Sequence, residues 1–216
     1  MPATIALDET TTLRLVASDD GPGLASAYRR NRRHLAPWEP LRSTRFFEAG
    51  GQTDAIADVL VAFRAGTCLP LVLEREGALV GRITLGNVVH GVFDSADLGY
   101  WLDADLQGRG LMTRAVGEAL RLARTELRLH RVQAGTLLHN AGSQTVLERN
   151  GFERIGVARR YLRIAGEWQD HLLFQRLLED VPPAPLDPPG AEPPSPMRLQ
   201  GGPAAADPLD GGTTAP

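Results

Sequence analysis

The sequence predicts one mixed α/β domain, arranged in layers around a single sheet, followed by a disordered Pro-rich C-terminal tail. Segments with strand-like alternation and segments with helical spacing follow one another over residues 13–180, in the order β-α-α-β-β-β-α-β-α-β-β. Residues 181–216 then change composition abruptly. We therefore assign residues 1–12 to a short N-terminal extension, 13–180 to the domain and 181–216 to the tail.

The first part of the domain predicts a strand and two helices. Leu13 to Val16 alternates like a strand, and Ser18 to Asp20 supplies side chains suited to start a helix. That helix ends in the basic cluster Arg29 to Arg33, and the prolines that follow must interrupt it. A second helix is predicted from about Thr53 to Ala65, because its apolar residues share one face and Gly66 follows.

The second part alternates strands with two more helices. Leu69 to Arg75 and Ala78 to Leu85 flank Glu76-Gly77, which indicates an antiparallel hairpin. The remaining predicted elements are a strand at Leu98 to Leu102, a helix at Leu111 to Leu127, a strand at Arg131 to Leu137, a helix at Asn140 to Arg149, and a closing hairpin of Phe152 to Ile164 and Trp168 to Leu177.

Composition excludes several classes of protein. All 23 basic residues are arginine, so lysine nucleophiles, lysine Schiff bases and the phosphate-loop lysine are absent. Residues 1–180 are formally neutral, so direct binding to nucleic acid is not expected. Cys68 is the only cysteine, and the five histidines show no ligand spacing, so no metal site is expected. Without a membrane-spanning run or a signal peptide, the expected location is the cytoplasm.

The tail is predicted to be disordered. It holds 11 of the 16 prolines, five glycines and no aromatic residue, so it cannot bury enough apolar area to offset its ordering entropy. A role as an extended ligand for a partner stays open.

The most informative segment joins a strand to a helix at Leu106 to Thr113. Gly108 and Gly110 let the backbone approach a ligand, and the N-terminus of the following helix favours an anion. The segment predicts a phosphate cradle. It matches neither the dinucleotide fingerprint nor the nucleotide P-loop, because position 113 is threonine and no lysine is present.

Three segments resemble the GNAT superfamily of acyl-CoA N-acyltransferases. The run Gln-x-x-Gly at 107–110, preceded by Gly-Tyr-Trp-Leu at 99–102, is similar to the family's pyrophosphate-binding motif. The Gly-x-Met-Thr-x-Ala run at 110–115, the Asn-x-x-Ser run at 140–143 with Gly-Phe at 151–152, and the segment 31–40 resemble the branch that acetylates the N-terminal alanine of ribosomal proteins. The resemblance implies a mixed, mostly antiparallel sheet flanked by helices.

The resemblance also implies acetyl-CoA as co-substrate and a set of residues that bind it. The implied cofactor-binding residues are Tyr100, Trp101, Leu102, Gln107, Gly108, Arg109, Gly110, Leu111, Met112, Thr113 and Asn140. Asn140 is also suited to cap the helix that follows it. A backbone N–H on the strand Leu98 to Leu102 is expected to hold the oxyanion. Ser143 takes the place of a tyrosine found in many members, so it is the candidate acid for the leaving thiol, although it could also serve only as a helix cap.

The sequence determines less well which residues bind the acceptor amine and accept its proton. Trp38 is the candidate wall of the substrate site, and Glu39 is the candidate base or the contact for the substrate's cation. His139, the Asp170-His171 pair and a chain of water molecules are alternatives for the base. The expected acceptor is a protein or peptide N-terminus, or else a small amine such as an antibiotic or aminoacyl metabolite. A non-catalytic acyl-CoA-binding sensor is a third hypothesis, and the chain is expected to be a monomer or a homodimer.

Overall fold

Strand segments from the whole length of the chain form one sheet. The computed structural model describes residues 4–178. Its strands are β1 (Thr4–Ala6), β2 (Thr11–Leu15), β3 (Leu69–Arg75), β4 (Ala78–Val89), β5 (Ser95–Leu102), β6 (Arg131–Leu137), β7 (Glu153–Ile164) and β8 (Glu167–Leu177). They lie in the order β1-β2-β3-β4-β5-β6-β8-β7. Neighbours pair antiparallel except β5 and β6, which are parallel, so the predicted mostly antiparallel sheet is confirmed.

Helices cover both faces of the sheet. They are α1 (Gly21–Arg30), α2 (Arg32–Leu35), α3 (Ala49–Arg64), α4 (Leu111–Thr125) and α5 (Ala141–Arg149), with short 3-10 helices at Thr44–Phe47 and Ala104–Leu106. The amphipathic α4 buries Ala115, Ala119 and Ala123 against one face, and α5 adds Leu147 to the same core. We call this the α4 face. On the other side, the α1 face, Leu24 of α1 and Ile56 of α3 pack with Trp101.

Several boundaries differ from those predicted. Residues 4–6 pair with 12–14, so part of the predicted 1–12 extension belongs to the sheet. The first helix divides at Asn31, whose amide donates to the Ala27 carbonyl (3.0 Å) and accepts the Ala104 N–H (3.0 Å). Helix α3 begins four residues earlier than predicted, at Ala49, because the Gln52 amide ties its first turn to the Phe46 carbonyl (2.6 Å). The predicted tail at 181–216 lies outside the described residues.

The sheet parts in its middle. β5 and β6 pair at Ser95 with Arg131, Ala96 with Val132 and Asp97 with Gln133, and within residues 4–178 they pair nowhere else. Beyond Asp97, β5 still pairs with β4 as far as Leu102, and beyond Gln133, β6 still pairs with β8 as far as Leu137. A gap therefore opens between two strands that are each held by an outer neighbour.

No helix among the described residues is long and apolar enough to cross a membrane.

Candidate active site

The loop before α4 presents unpaired backbone N–H groups. Gly108 (φ +75°) and Gly110 (φ +70°) take the left-handed conformation, which lets the chain turn sharply into the helix. The first helical bond runs from the Arg114 N–H to the Gly110 carbonyl (3.1 Å), so the N–H groups of residues 111–113 have no partner within the helix. Together with the helix dipole, they make a site for an anion.

The gap between β5 and β6 also exposes backbone donors. The Asp103 N–H donates to the Val80 carbonyl of β4 (2.7 Å). Because the bonds to β4 come from every second residue, the N–H groups of Tyr100 and Leu102 point to the other edge of β5, into the gap. A polarised oxygen lying between the strands can accept a hydrogen bond from either group.

A cavity of about 700 Å³ connects the anion site to the gap. Most of the residues predicted to bind the cofactor line it, together with Ser143 and Trp38. Arg109 and Glu39 do not line it. His139, an alternative for the base, and Leu106, the first residue of the predicted loop, also line it. The lining residues to which the sequence assigned no role are His34, Leu35, Ala141, Gly142, Thr145, Val146 and Arg149.

Ser143 is held by polar contacts with two residues, Asn140 and Tyr100. Its N–H donates to the Asn140 side chain (3.1 Å), which caps α5 as the sequence predicted. The Tyr100 hydroxyl lies 2.8 Å from Ser143 Oγ and 3.2 Å from the Ser143 carbonyl oxygen. When the phenol donates to Oγ, the serine hydroxyl proton is free to point at a ligand in the cavity.

Tyr100 is a neutral donor at physiological pH. Burial raises the pKa of its phenol to about 12, and the hydrogen bond with Ser143 opposes part of that rise. This tyrosine packs on the α4 face, whereas its neighbour Trp101 packs on the α1 face and donates its indole N–H to the Tyr28 hydroxyl (2.9 Å).

The segment after α1 closes one end of the cavity. The Trp38 ring lies 5.3 Å from the His139 ring, and the side chains of His34 and Gln107 are hydrogen-bonded (2.9 Å). The predicted substrate wall, Trp38, thus contacts the residue that precedes Asn140. Since His34 and His139 lie far from these partners in sequence, local patterns gave no signal for either contact.

Glu39 lies beside the cavity, on a loop that contacts the β7–β8 turn. Its carbonyl accepts the Ala165 N–H (2.9 Å), and its carboxylate lies 3.6 Å from Arg42 Nε. Burial raises the pKa of the Glu39 carboxyl, and the positive charges of Arg42 and Arg82 oppose that rise.

Comparison with known proteins decides the family. Residues 11–153 match the model of the acetyltransferase (GNAT) domain. The chain belongs to the GNAT acetyltransferases. It is therefore an acyltransferase, and the predicted family is confirmed.

Relatives of this acetyltransferase cover most of its length. The [ribosomal protein uS5]-alanine N-acetyltransferase of Escherichia coli K12 is 34% identical over 173 residues, 79% of this chain and 89% of that protein. The crystal structure of ribosomal-protein-S5-alanine acetyltransferase from Vibrio fischeri superposes with a TM-score of 0.80 at 32% identity, covering 83% of this chain and 99% of that one. RimJ from Mycobacterium smegmatis, solved in complex with CoA-disulfide, gives 0.75 at 33% identity over 80% and 84%.

The Tyr100–Ser143 contact of the acetyltransferase predicts an unusual alkaline titration. We expect Tyr100 to stay protonated at pH 10 and to ionise near pH 12, and we expect Ser143→Ala to raise this pKa further, because the serine stabilises the phenolate. The measurement is the phenolate absorbance during an alkaline titration. Subtracting the titration curve of Tyr100→Phe from that of the wild type isolates the signal of Tyr100. Ionisation of Tyr100 near pH 10 in the wild type would contradict the buried, hydrogen-bonded phenol.

Proposed function

We propose that this acetyltransferase transfers the acetyl group of acetyl-CoA to the α-amino group of a protein N-terminus, of the kind found on ribosomal proteins. The observation that carries the proposal is one cavity that joins an anion site, a strand gap with free N–H groups, and the Tyr100–Ser143 pair. The acceptor class is supported by the similarity to alanine N-acetyltransferases of ribosomal proteins over about four-fifths of the chain.

The residues present fit acetyl-CoA. The loop Gln107 to Gly110 and the free N–H groups of α4 suit its pyrophosphate, and the cavity leads from there to the gap between β5 and β6. When bound, this co-substrate supplies an acetyl thioester.

The gap and the Tyr100–Ser143 pair have separate tasks. The N–H groups of Tyr100 and Leu102 donate to the thioester oxygen as negative charge develops on it, a contribution of a few kcal/mol for a fixed donor. Ser143 donates to the departing sulfur, and Tyr100 holds the Ser143 hydroxyl in place. Because the pKa of Tyr100 is about 12 and that of a thiol about 8.5, the pair stabilises the thiolate by hydrogen bonding without giving up a proton.

Trp38 and Glu39 are proposed to face the incoming peptide. Trp38 is an apolar wall at the end of the cavity, and Glu39 offers a carboxylate to a cationic N-terminus. Because Arg42, 3.6 Å away, opposes the rise in the pKa of this carboxyl and so favours its ionised form, we assign Glu39 to binding the cationic acceptor and not to accepting its proton.

The function is tested by offering the purified protein acetyl-CoA with peptides that begin with alanine or serine, beside a panel of small amines. We expect CoA release with the peptides and a product whose fragment masses place the acetyl group on the N-terminal nitrogen. Turnover restricted to small amines would overturn the acceptor class. Binding of CoA without any turnover would favour a sensor over an enzyme.

The anion site is tested with a pair of glycine variants. We expect Gly110→Ala to weaken CoA binding by about tenfold or more, because a side chain at φ +70° strains the loop and moves its N–H groups. Gly66→Ala is the matched control, since Gly66 has φ +74° and open space around it at the end of α3, far from the cavity. Calorimetric titration with CoA measures the dissociation constant of each variant. Equal affinities for the two variants would contradict the assignment of the loop.

A further inference from the structure

The mechanism so far leaves unassigned a buried histidine on the α1 face. His171 is 3% exposed and lies on β8, paired with Leu137 of β6. Its neighbour Leu172 packs on the α4 face, and side chains alternate along a strand, so His171 points to the opposite face. This is also the face to which Trp101 points from β5, across the gap.

The hydrogen bond of His171 defines which ring nitrogen can take a proton. Nδ1 lies 3.0 Å from the Gln169 carbonyl oxygen. Because a carbonyl only accepts, Nδ1 carries the hydrogen, and the lone pair of the neutral ring is on Nε2. No residue of the described chain forms a hydrogen bond or an ion pair with Nε2.

A bulge in β7 places a tyrosine beside this histidine. The register of β7 against β8 shifts between Ala158 and Leu162, and the Asp170 carboxylate holds the bulge by accepting the Arg160 N–H (2.8 Å). The Tyr161 ring then lies 5.6 Å from the His171 ring, at an angle of 59°.

Both rings lie close to the β6 backbone at Gly135, near the gap. A Cβ atom placed on Gly135 would lie 3.7 Å from His171 Cδ2 and 3.7 Å from Tyr161 Cε1. Leu173 Cδ2 would lie 3.4 Å from the same atom, so the absence of a side chain at Gly135 lets both rings and Leu173 pack directly over β6 on the α1 face. Ser143, in contrast, is bonded to Tyr100 on the α4 face.

We propose that His171 is the proton acceptor for the attacking amine, approached from the α1 face, with Tyr161 as the wall of the acceptor site beside it. The inference rests on the proposed function. As the bond from the amine nitrogen to the acetyl carbon forms and the carbon–sulfur bond breaks, the amine proton passes to Nε2 and then to solvent. The sulfur leaves on the α4 face as a thiolate that accepts a hydrogen bond from Ser143, and it then takes a proton from water.

The surroundings of His171 suit this task better than those of Glu39. From β7 the titratable group that faces it is Tyr161, whereas β6 presents Leu137 and Gly135, which do not titrate. Asp170 points to the other face and is engaged by the Arg160 N–H. Arg42 favours the ionised form of the Glu39 carboxyl and so disfavours proton uptake by it.

The test compares His171→Gln with the wild type and with His90→Gln, a control in an exposed histidine (side chain 54% exposed). With an alanine-starting peptide, we expect His171→Gln to lower kcat about 100-fold or more. Affinity for CoA and the melting temperature should stay near those of the wild type. The rate of this variant should recover as the pH rises past about 8, where the amine is already neutral. An unchanged kcat, or a loss equal at every pH, would overturn the proposal.

The protonation of the His171 ring can be measured without any catalysis, so this test does not depend on the proposed function. Long-range proton–nitrogen NMR of the wild-type protein, with the His171 ring assigned through its bonds to the backbone of that residue, reports which ring nitrogen is protonated. We expect hydrogen on Nδ1 and a lone pair on Nε2, and the reverse tautomer would overturn the role of His171 even if the variant failed to fold. If the wild type acetylates no peptide while the tautomer is as expected, the proposed acceptor class is wrong, and the assigned tautomer of His171 still stands.

Discussion

The parting of β5 from β6 is the constraint on which the rest of the site depends. After three paired residues, each strand stays bonded to its outer neighbour and the two diverge. Backbone N–H groups in the middle of a sheet normally donate hydrogen bonds to the next strand, and a buried N–H without a partner lowers the stability of the fold. Here the divergence leaves the N–H groups of Tyr100 and Leu102 available in a cavity, where a ligand can use them.

The residues around the gap lie on two opposite faces of the sheet. Alternation along β5 sends Tyr100 to the α4 face and Trp101 to the α1 face, so adjacent residues serve opposite sides of the same opening. On the α4 face, α4 offers its N-terminus and α5 offers Ser143, whose position is set by the Asn140 cap and the Tyr100 hydroxyl. On the α1 face, β6, β7 and β8 bring Gly135, Tyr161 and His171 together. In the proposed reaction, the bond to nitrogen forms on one face while the bond to sulfur breaks on the other, and this division provides both faces.

The parts of the structure predicted well from sequence are those specified by local patterns. The small apolar residues of α4, the glycines before it and the Asn140 cap each depend on neighbours within a few positions. The division of the first helix at Asn31 was missed because that side chain bonds Ala104, far along the chain. The edge strand at residues 4–6 was missed because it is short and mostly exposed, with little alternation to read.

The candidate site shows the same limit. Sequence motifs named Tyr100 and Ser143 separately, but their contact joins β5 to α5 and follows only from the fold. The bulge that brings Tyr161 to His171 depends on Asp170 bonding a backbone N–H of the neighbouring strand, which no spacing along one strand reveals. Glu39 was placed in the site by its motif, whereas the fold sets it beside the cavity and pairs it with Arg42.

In the proposed reaction, CoA and the acceptor peptide bind on opposite faces of the sheet. This arrangement is tested most directly by a crystal structure of the protein bound to a conjugate in which CoA is joined covalently to the N-terminus of an alanine peptide. We expect the linking arm to lie between β5 and β6, with the pyrophosphate at the start of α4 and the peptide on the α1 face near His171. A conjugate whose CoA and peptide halves both lie on the α4 face would contradict it.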